Sequence, residues 1–243
     1  MNPIDQYIQD RDEKVKRDMD DRDLRIANER YFESIVTSEY VRNFTWMGMP
    51  ILQLPSDLMV MQELIWKIKP DYIIETGVAF GGMLVFYASI LEAIGEGKVV
   101  GIDIDPREAN MKALEHHRLK HRISVVKGSS IERKVIEGVY NQVNRDVVMV
   151  SLDSNHTEEH VLQELVSYSP LVSIGSYIVV FDTSIEFYHK LDKNQDRLWG
   201  KGNNPYTAVQ KFMDGNDEFV VDKEIEVRAG ITAAPGGWLR RIK

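Results

Sequence analysis

The sequence predicts an α/β fold built on a doubly wound, mostly parallel sheet with helices on both faces. Two observations predict this class. Short β-rich runs alternate with helical runs through the middle of the chain, which is the order of right-handed βαβ units. The β-rich runs are continuously apolar, as in Val147–Val150, which is typical of strands covered on both faces. We therefore expect the sheet to lie at the centre of the molecule.

Composition supports a folded chain and excludes several kinds of site. Of 243 residues, 43% are hydrophobic and 28% are charged, which is enough apolar material for a sizeable core. The 38 acidic and 30 basic side chains give a net charge of -8, which disfavours non-specific binding to nucleic acid. The chain has no cysteine. This excludes disulfides, thiolate metal sites and a cysteine nucleophile.

No segment predicts a contact with a membrane. The first 16 residues are polar and charged without an apolar core segment, and the uncharged stretch Thr76–Leu91 contains three glycines. That stretch is also shorter than the ~20 residues that a spanning helix needs. We therefore expect a cytoplasmic protein that binds neither membrane nor nucleic acid.

The first part of the chain predicts a charged helical extension. Charges of both signs are dense through residue 30, and Ile4, Tyr7 and Ile8 stand at loosely helical spacing. We interpret residues 1–45 as a solvated extension that packs one apolar stripe on the body or on another copy of the chain. Residues 46–243 then form the main domain, and the protein is expected to be a homo-oligomer.

The elements of the main domain follow in order. Pro55 and Asp57 predict the start of a helix that Pro70 ends. Strands are predicted at Tyr72–Glu75, Val99–Asp103, Ile123–Lys127, Val147–Asp153 and Tyr177–Asp182, with helices near 82–94, 107–119, 131–142 and 157–169. A long polar loop is predicted at 183–204, then a helix near 206–214 and a terminal β-hairpin from Glu226–Ile231 and Trp238–Ile242.

The first candidate site is the loop that follows the first strand of the sheet. In open parallel sheets, ligands bind beyond the carboxyl ends of the strands. Glu75, Gly77 and Gly81 form the pattern E-x-G-x-x-x-G there, without the leading G-x-G of dinucleotide sites. The pattern favours S-adenosylmethionine (SAM) over a nicotinamide cofactor, and Asp103 at the end of the next strand could accept both ribose hydroxyls. The alternative is a tight turn without a ligand.

The second candidate site combines two strand-end acids with a histidine. Asp153 and Asp182 end strands that we expect to be neighbours, and paired carboxylates suit a hard cation such as Mg²⁺. His156 follows three residues after Asp153, and an imidazole with a pKa near ~6.5 suits a general base. Alternatively, each acid caps the following turn and the histidine is a polar residue at a helix start.

Several segments together resemble a known family. They are Trp46–Pro50, Gln53–Asp57, Glu75–Gly77, Gly101–Asp105, Leu152–His156, Pro170–Val172, Gly175–Val180 and Asn203–Pro205. The chain resembles the cephalosporin hydroxylase family, which is similar to class I SAM-dependent methyltransferases. That family includes a cephamycin-pathway methoxylation protein and rhamnosyl O-methyltransferases. The resemblance implies a Rossmann-like sheet of seven strands, SAM binding and, in many members, a magnesium ion.

The resemblance also implies a role for each site residue. Cofactor binding falls to Glu75, Gly77, Gly81, Asp103, Ser129 and Ser130, metal binding to Asp153 and Asp182, and catalysis to His156 and Asp153. Ser129 and Ser130 would lie near the adenine. Two positions depart from the common family pattern, because Asn155 and Phe181 stand where many members have acids. The second departure removes one plausible metal ligand.

The predicted function is therefore transfer of a methyl group from SAM to a hydroxyl of a sugar, glycan or secondary metabolite. His156 would act as general base beside the metal, and loop 183–204, with Phe187, Tyr188 and Trp199, would close over the acceptor. Three alternatives stay open. One is a metal-independent methyltransferase. Another is a SAM-binding accessory protein of an oxygenase, whose iron site would need His160 or His189 beside His156. The third is a nicotinamide dehydrogenase, which the glycine spacing disfavours.

Overall fold

The computed structural model describes residues 2–143, 147–191 and 196–243. The chain begins with two charged helices, α1 (Pro3–Asp18) and α2 (Arg22–Thr37). Each starts at a side-chain cap, Asn2 for α1 and Asp21 for α2. Val15 is the one buried residue of α1, whereas Phe32 and Ile35 bury one face of α2. The predicted helical extension is therefore present, and its second helix packs on the body of the protein.

A seven-stranded sheet forms the body after a short antiparallel pair, β1 (Thr45–Trp46) and β2 (Met49–Pro50). Its strands are β3 (Tyr72–Thr76), β4 (Lys98–Asp103), β5 (Ile123–Lys127), β6 (Val148–Leu152), β7 (Tyr177–Val180), β8 (Phe219–Val221) and β9 (Trp238–Arg241). Their order is β5-β4-β3-β6-β7-β9-β8. The first five are parallel, and β9 runs antiparallel to β7 and β8. The predicted sheet is confirmed.

Helices cover both faces of this sheet, as predicted. They are α3 (Pro55–Ile68), α4 (Gly82–Ile94), α5 (Glu108–His116), α6 (Arg133–Gln142), α7 (Glu158–Tyr168), α8 (Ile185–Tyr188), α9 (Pro205–Met213) and α10 (Lys223–Ala229). One apolar cluster joins the sheet to α2, α3, α4 and α10, and a second joins it to α6, α7 and α9. No helix among the described residues is both long and apolar enough to span a membrane.

The C-terminal region contains one wrong prediction. Glu226–Ile231 was expected to pair with the last strand, but this segment belongs to α10 and the turn after it, and β8 is the partner of β9. The side chain of Glu226 accepts a hydrogen bond from the amide of Gly236, 2.7 Å away. The segment alternates polar and apolar residues over only a few positions, which fits a strand as well as one turn of a helix. Contacts with residues outside the segment decide between the two.

Segment 183–204 is more ordered than the predicted loop. Within its described part it contains α8, a 3₁₀ turn over His189–Leu191 and a bridge between Gly200 and Asn203. Residues 192–195 lie outside the described residues. The segment follows β7, whose carboxyl end lies at the same sheet edge as those of β3 and β6. This edge is where β3 has β4 on one side and β6 on the other, so the strand order reverses there.

Candidate functional site

Backbone hydrogen bonds join the glycine loop after β3 to the ends of both neighbouring strands. The amide of Gly77 donates to the carbonyl of Ile102 in β4 at 2.8 Å, and the amide of Asp153, just after β6, donates to the carbonyl of Thr76 at 3.0 Å. Gly77 has φ +86°, and a Cβ there would lie 1.9 Å from the carbonyl oxygen of Asp153. Only glycine fits this position, since both its backbone and its surroundings reject a side chain.

Asp103 holds the same loop from the end of β4. One of its carboxylate oxygens accepts the amides of Val78 at 2.9 Å and Ala79 at 3.3 Å, and the other accepts the amide of Asp105 at 2.8 Å. Gly81 follows as the N-cap residue immediately before α4, and its amide donates to the carbonyl of Val78. Asp103 thus shapes the glycine loop in addition to any contact that it makes with a ligand.

Glu75 is a buried acid with an unsatisfied atom. It is 1% exposed, and burial, together with the charge of Asp153, raises its pKa well above the ordinary value. Its Oε2 has no hydrogen-bond partner among the described residues. Such a group is costly unless something pairs with it, so Glu75 is poised to meet a polar or cationic ligand group.

Ser130 lies in a buried polar network beside this loop. Its hydroxyl lies 3.0 Å from Nε2 of His160, and its carbonyl accepts the hydroxyl of Tyr168 at 2.6 Å. Glu164, which is 0% exposed, accepts the hydroxyl of Ser154 at 2.6 Å and lies 3.4 Å from Nε2 of His160. His160 is therefore occupied here and does not join His156.

The strand-end acids and the histidine do meet, as the sequence predicts. His156 lies between them, with Nε2 3.3 Å from Oδ1 of Asp153 and Nδ1 3.4 Å from Oδ2 of Asp182. One ligand atom from each of the three lies within 4.8 Å of the other two. Asp182 has φ +56°, a conformation that costs energy outside glycine and is often found at functional sites. We call these three residues the acid–histidine cluster.

The two acids of the cluster change the pKa of its histidine. Burial lowers the pKa of His156, but the negative charges of Asp182 and Asp153 outweigh it, so that the pKa is raised overall. A cation between the two carboxylates would replace the stabilisation that a protonated imidazole gives them. Among the described residues this is the one group of three that could hold a metal ion, and its hard oxygen donors suit a divalent cation such as Mg²⁺.

Two residues of the site were not assigned from the sequence. Gln53 is 3% exposed, and its amide nitrogen donates to Oδ2 of Asp153 at 3.1 Å. Asp57 is also buried, and its Oδ2 accepts the amide of Ala233 at 2.8 Å. Both lie in the segment Gln53–Asp57 that carries the resemblance, which is the signal that could have identified them.

The two departures from the family pattern have local explanations. The side chain of Asn155 accepts the amide and the hydroxyl of Thr157, at 2.9 and 2.8 Å, just before α7 begins. Phe181 is 1% exposed and packs on Trp238 with their ring centroids 6.0 Å apart. An asparagine and a phenylalanine at these positions therefore stabilise the fold around the cluster.

Two cavities meet at the cluster. The strand-tip cavity, of about 410 Å³, is lined by Glu75, Gly77, Asp153 and His156 among others. The α2 cavity, of about 380 Å³, is lined by α2 and by residues within 184–191 and 197–200. Asp182, Arg197 and Trp199 line both cavities. Trp199 packs edge-on against His156 with ring centroids 5.1 Å apart. Of the predicted loop aromatics, Tyr188 lines the α2 cavity and Phe187 lines neither.

Not every predicted site residue lines the strand-tip cavity. Gly81, Asp103, Ser129 and Ser130 are not among the residues that line it. Asp103 reaches the cavity wall through the amides of Val78 and Ala79. The cofactor-binding roles of these four residues stay predictions.

Comparison with known proteins gives the family. Residues 38–242 match the model of the family described as rhamnosyl O-methyltransferase/CmcI. The chain is 31% identical over 201 residues to the rhamnosyl O-methyltransferase of Mycobacterium tuberculosis, covering 81% of this chain and 78% of that protein. It is 29% identical over 204 residues to that of Mycobacterium leprae, covering 81% and 82%. The chain therefore belongs to this family, and the predicted resemblance is confirmed.

Solved structures agree with this assignment at the level of the fold. The structure of cmcI with Mg and SAM superposes with a TM-score of 0.57 and 18% identity, over 83% of this chain and 78% of that chain. The class I methyltransferase fold predicted from the sequence is confirmed.

Proposed function

We propose that this member of the rhamnosyl O-methyltransferase/CmcI family transfers the methyl group of SAM to a hydroxyl of a sugar or of a sugar-bearing natural product. The chain is a SAM-dependent O-methyltransferase, as the sequence predicts. The observation that carries the proposal is the acid–histidine cluster, which lies at the junction of the strand-tip cavity and the α2 cavity. In this proposal SAM occupies the first cavity and the acceptor enters the second.

The strand-tip cavity fits SAM on three observations. The unpaired Oε2 of Glu75 offers an acceptor for the ammonium group of the methionine end. Gly77 lines the cavity with backbone alone, so that a ligand can approach the chain closely there. The cavity volume of about 410 Å³ lies in the range of small-molecule sites. We assign Glu75, Gly77 and Gly81 to the methionine and ribose side, Asp103 to the ribose, and Ser129 and Ser130 to the adenine side.

The cluster fits a divalent cation, and we propose Asp153 and Asp182 as its protein ligands. Mg²⁺ bound there would lower the pKa of the acceptor hydroxyl and fix its position. The side-chain amide of Gln53 donates a hydrogen bond to Oδ2 of Asp153, so that the carboxylate is already oriented for this role. A cation held by the two acids would neutralise their charges and so favour the neutral form of His156, which could then accept the proton of the hydroxyl at one ring nitrogen.

The remaining residues exclude water and align the reactants. SAM supplies an electrophilic methyl group on a sulfonium, so the acceptor oxygen has to lie in line with that bond. Alignment of this kind contributes up to ~7–11 kcal/mol. Trp199 packs edge-on against His156 and lines both cavities, and in this position its ring would shield the reacting atoms from solvent.

Alanine substitution of the cluster tests this assignment. Asp153→Ala, His156→Ala and Asp182→Ala should each lower kcat on a rhamnoside acceptor by about 10²–10⁴-fold, while the Kd for SAM measured by calorimetry changes little. His121→Ala, an exposed histidine paired with Glu92, is the matched control. Full activity in all three cluster variants would refute the mechanism.

The metal is tested separately. Excess chelator should abolish turnover and added Mg²⁺ should restore it, whereas SAM binding should persist in both conditions. Undiminished activity in chelator would favour the metal-independent enzyme. SAM binding without methyl transfer to any of a panel of glycosides would favour an accessory role beside an oxygenase.

We further propose that the protein acts in the cytoplasm as a homo-oligomer, with residues 1–45 as an extension of a domain spanning 46–243. Ile4 and Tyr7 on α1 are 69% and 70% exposed, which supports an apolar contact between copies of the chain. Light scattering of the full chain and of the Ile4→Ser, Tyr7→Ser double variant measures this state. A monomeric full chain would refute the oligomer.

A further inference from the structure

The α2 cavity has one wall that comes from the N-terminal helices. Phe32, Ile35 and Val36 of α2 line it on one side, and Ile185, Tyr188 and Leu191 line it on the other. All six side chains are largely apolar. The cavity volume of about 380 Å³ lies within the range of small-molecule sites. The cavity is therefore large enough for a ligand group, and this part of its lining suits an apolar group.

The α2 wall is a built part of the fold. Phe32 and Ile35 are each 6% exposed, and both belong to the apolar cluster that includes α3 and α4. The ring of Phe32 packs against that of Tyr188 with centroids 4.6 Å apart, which ties α2 to the segment after β7. The family match begins at residue 38, so this wall lies outside the matched region.

The cavity opens directly on the reacting groups. Asp182 and Trp199 are shared with the strand-tip cavity, and so are the two arginines Arg42 and Arg197. Charged groups therefore lie at the junction, whereas α2 contributes only apolar side chains to the lining. A hydroxyl placed at Asp182 would have the rest of its molecule in the apolar part of the lining, beside the packed rings of Phe32 and Tyr188.

We propose that α2 is the acceptor-specificity wall of this enzyme, and that the α2 cavity takes an apolar substituent carried by the hydroxylated ring of the acceptor. This inference rests on the proposed function, because it identifies the α2 cavity as the acceptor side. Val36 is the specificity-determining position on which we test it, since its side chain lines the cavity and is only partly buried.

The test compares two probes that differ only in their apolar part, methyl α-L-rhamnoside and hexyl α-L-rhamnoside. Calorimetry of the full chain, saturated with S-adenosylhomocysteine and Mg²⁺, should show the hexyl glycoside binding at least about 10-fold more tightly, because single methylenes in an apolar pocket already discriminate by roughly 10-fold or more. Val36→Trp fills the cavity and should remove this preference without changing the affinity for S-adenosylhomocysteine.

Two further variants make the result specific. Val36→Phe is a milder filling change that should reduce the preference if Val36→Trp folds poorly. Tyr31→Ala alters the outer face of the same helix, where Tyr31 is 50% exposed, and should leave the preference intact. Equal affinity for the two glycosides, or a preference unaffected by both filling variants, would overturn the inference.

Methyl transfer to the same glycosides separates this inference from the proposed function. Binding that depends on Val36, without transfer to either glycoside, would refute the sugar acceptor and leave the apolar subsite in place. Transfer to both glycosides with a hexyl-to-methyl ratio of kcat/KM that the filling variants do not change would support the proposed function and refute the role of α2.

Discussion

The strand-tip cavity and the α2 cavity share the wall at Asp182 but are built by different means. The first is made of strand ends and short turns, and it is held by backbone contacts such as those of Gly77 and Asp103. The second is made largely of residues from α2, from 184–191 and from 197–200, and α2 lies far from the other two ranges in the sequence. The comparison indicates that the strand-tip cavity tolerates little change, whereas a partly buried position of the α2 cavity such as Val36 can be altered without loss of the fold.

The strictest test of this contrast is Gly77→Ala. A Cβ there would lie 1.9 Å from the carbonyl oxygen of Asp153, and its left-handed backbone adds strain, so we expect SAM affinity to fall by more than about 100-fold. Gly175→Ala is the matched control, because Gly175 has a similar φ of +84° with nothing within 4 Å of the added Cβ. Equal SAM affinity of the two variants by calorimetry would contradict the rigid cofactor side.

Asp103→Ala tests the same side with a smaller change. The variant removes the acceptor of the Val78 and Ala79 amides. Hydrogen bonds to a charged group contribute about 1.5–3 kcal/mol, so SAM affinity should fall roughly 10-fold to 100-fold in a titration. Asp105→Ala, at an exposed neighbouring position, should bind SAM like the parent chain. An unchanged Kd in Asp103→Ala would argue against any role of this acid in the site.

Asp57 allows a pH test at the wall shared by the two cavities, because its carboxylate accepts the amide of Ala233, which lines both. Burial raises its pKa from 3.8 to about 7, and the charge of Asp182 adds to this effect, against the hydrogen bonds of the carboxyl. The folded state therefore binds the proton more tightly, and the free energy of unfolding falls as pH rises from about 4 to about 7. Asp57→Asn should remove about 2–4 kcal/mol of this fall, measured by urea unfolding at pH 5 and pH 8.

The control for this measurement is Asp217→Asn. The pKa of the exposed Asp217 is lowered by Lys243, so its contribution is lost only at acid pH and should not differ between pH 5 and pH 8. If Asp57→Asn keeps the full pH dependence of the parent chain, then Asp57 is not the group responsible.

The smallest effect is expected for Phe187, which we compare with Trp199 through the KM for the acceptor. Phe187 is 53% exposed and packs on Tyr206 outside both cavities. Phe187→Ala should therefore change the KM for a rhamnoside acceptor by less than about 2-fold, within the range of surface substitutions. Trp199→Ala, which opens the wall beside His156, should raise it by more. A large effect of Phe187→Ala would restore the predicted role of this residue in closing over the acceptor.

Local patterns predicted the sheet and much of the chemistry. The strands β3 to β7 and the helices between them follow from apolar runs and helical spacing, because both are set by nearest neighbours along the chain. The meeting of Asp153, His156 and Asp182 followed from the rule that parallel strands end at one edge. The terminal strand was predicted correctly, but its partner was misplaced, because the segment 226–231 fits both periods and contacts such as that of Glu226 with Gly236 decide between them.

The sequence alone therefore predicted the succession of strands β3 to β7 along the chain, the glycine loop at their tips and the acids beside it, all of which depend on short-range geometry. The contact of Gln53 with Asp153, that of Ser130 with His160 and the position of α2 beside Asp182 became visible only in the folded protein. Sequence patterns do not predict them because these contacts join residues far apart in the chain. Their energy appears only once the core between them has packed.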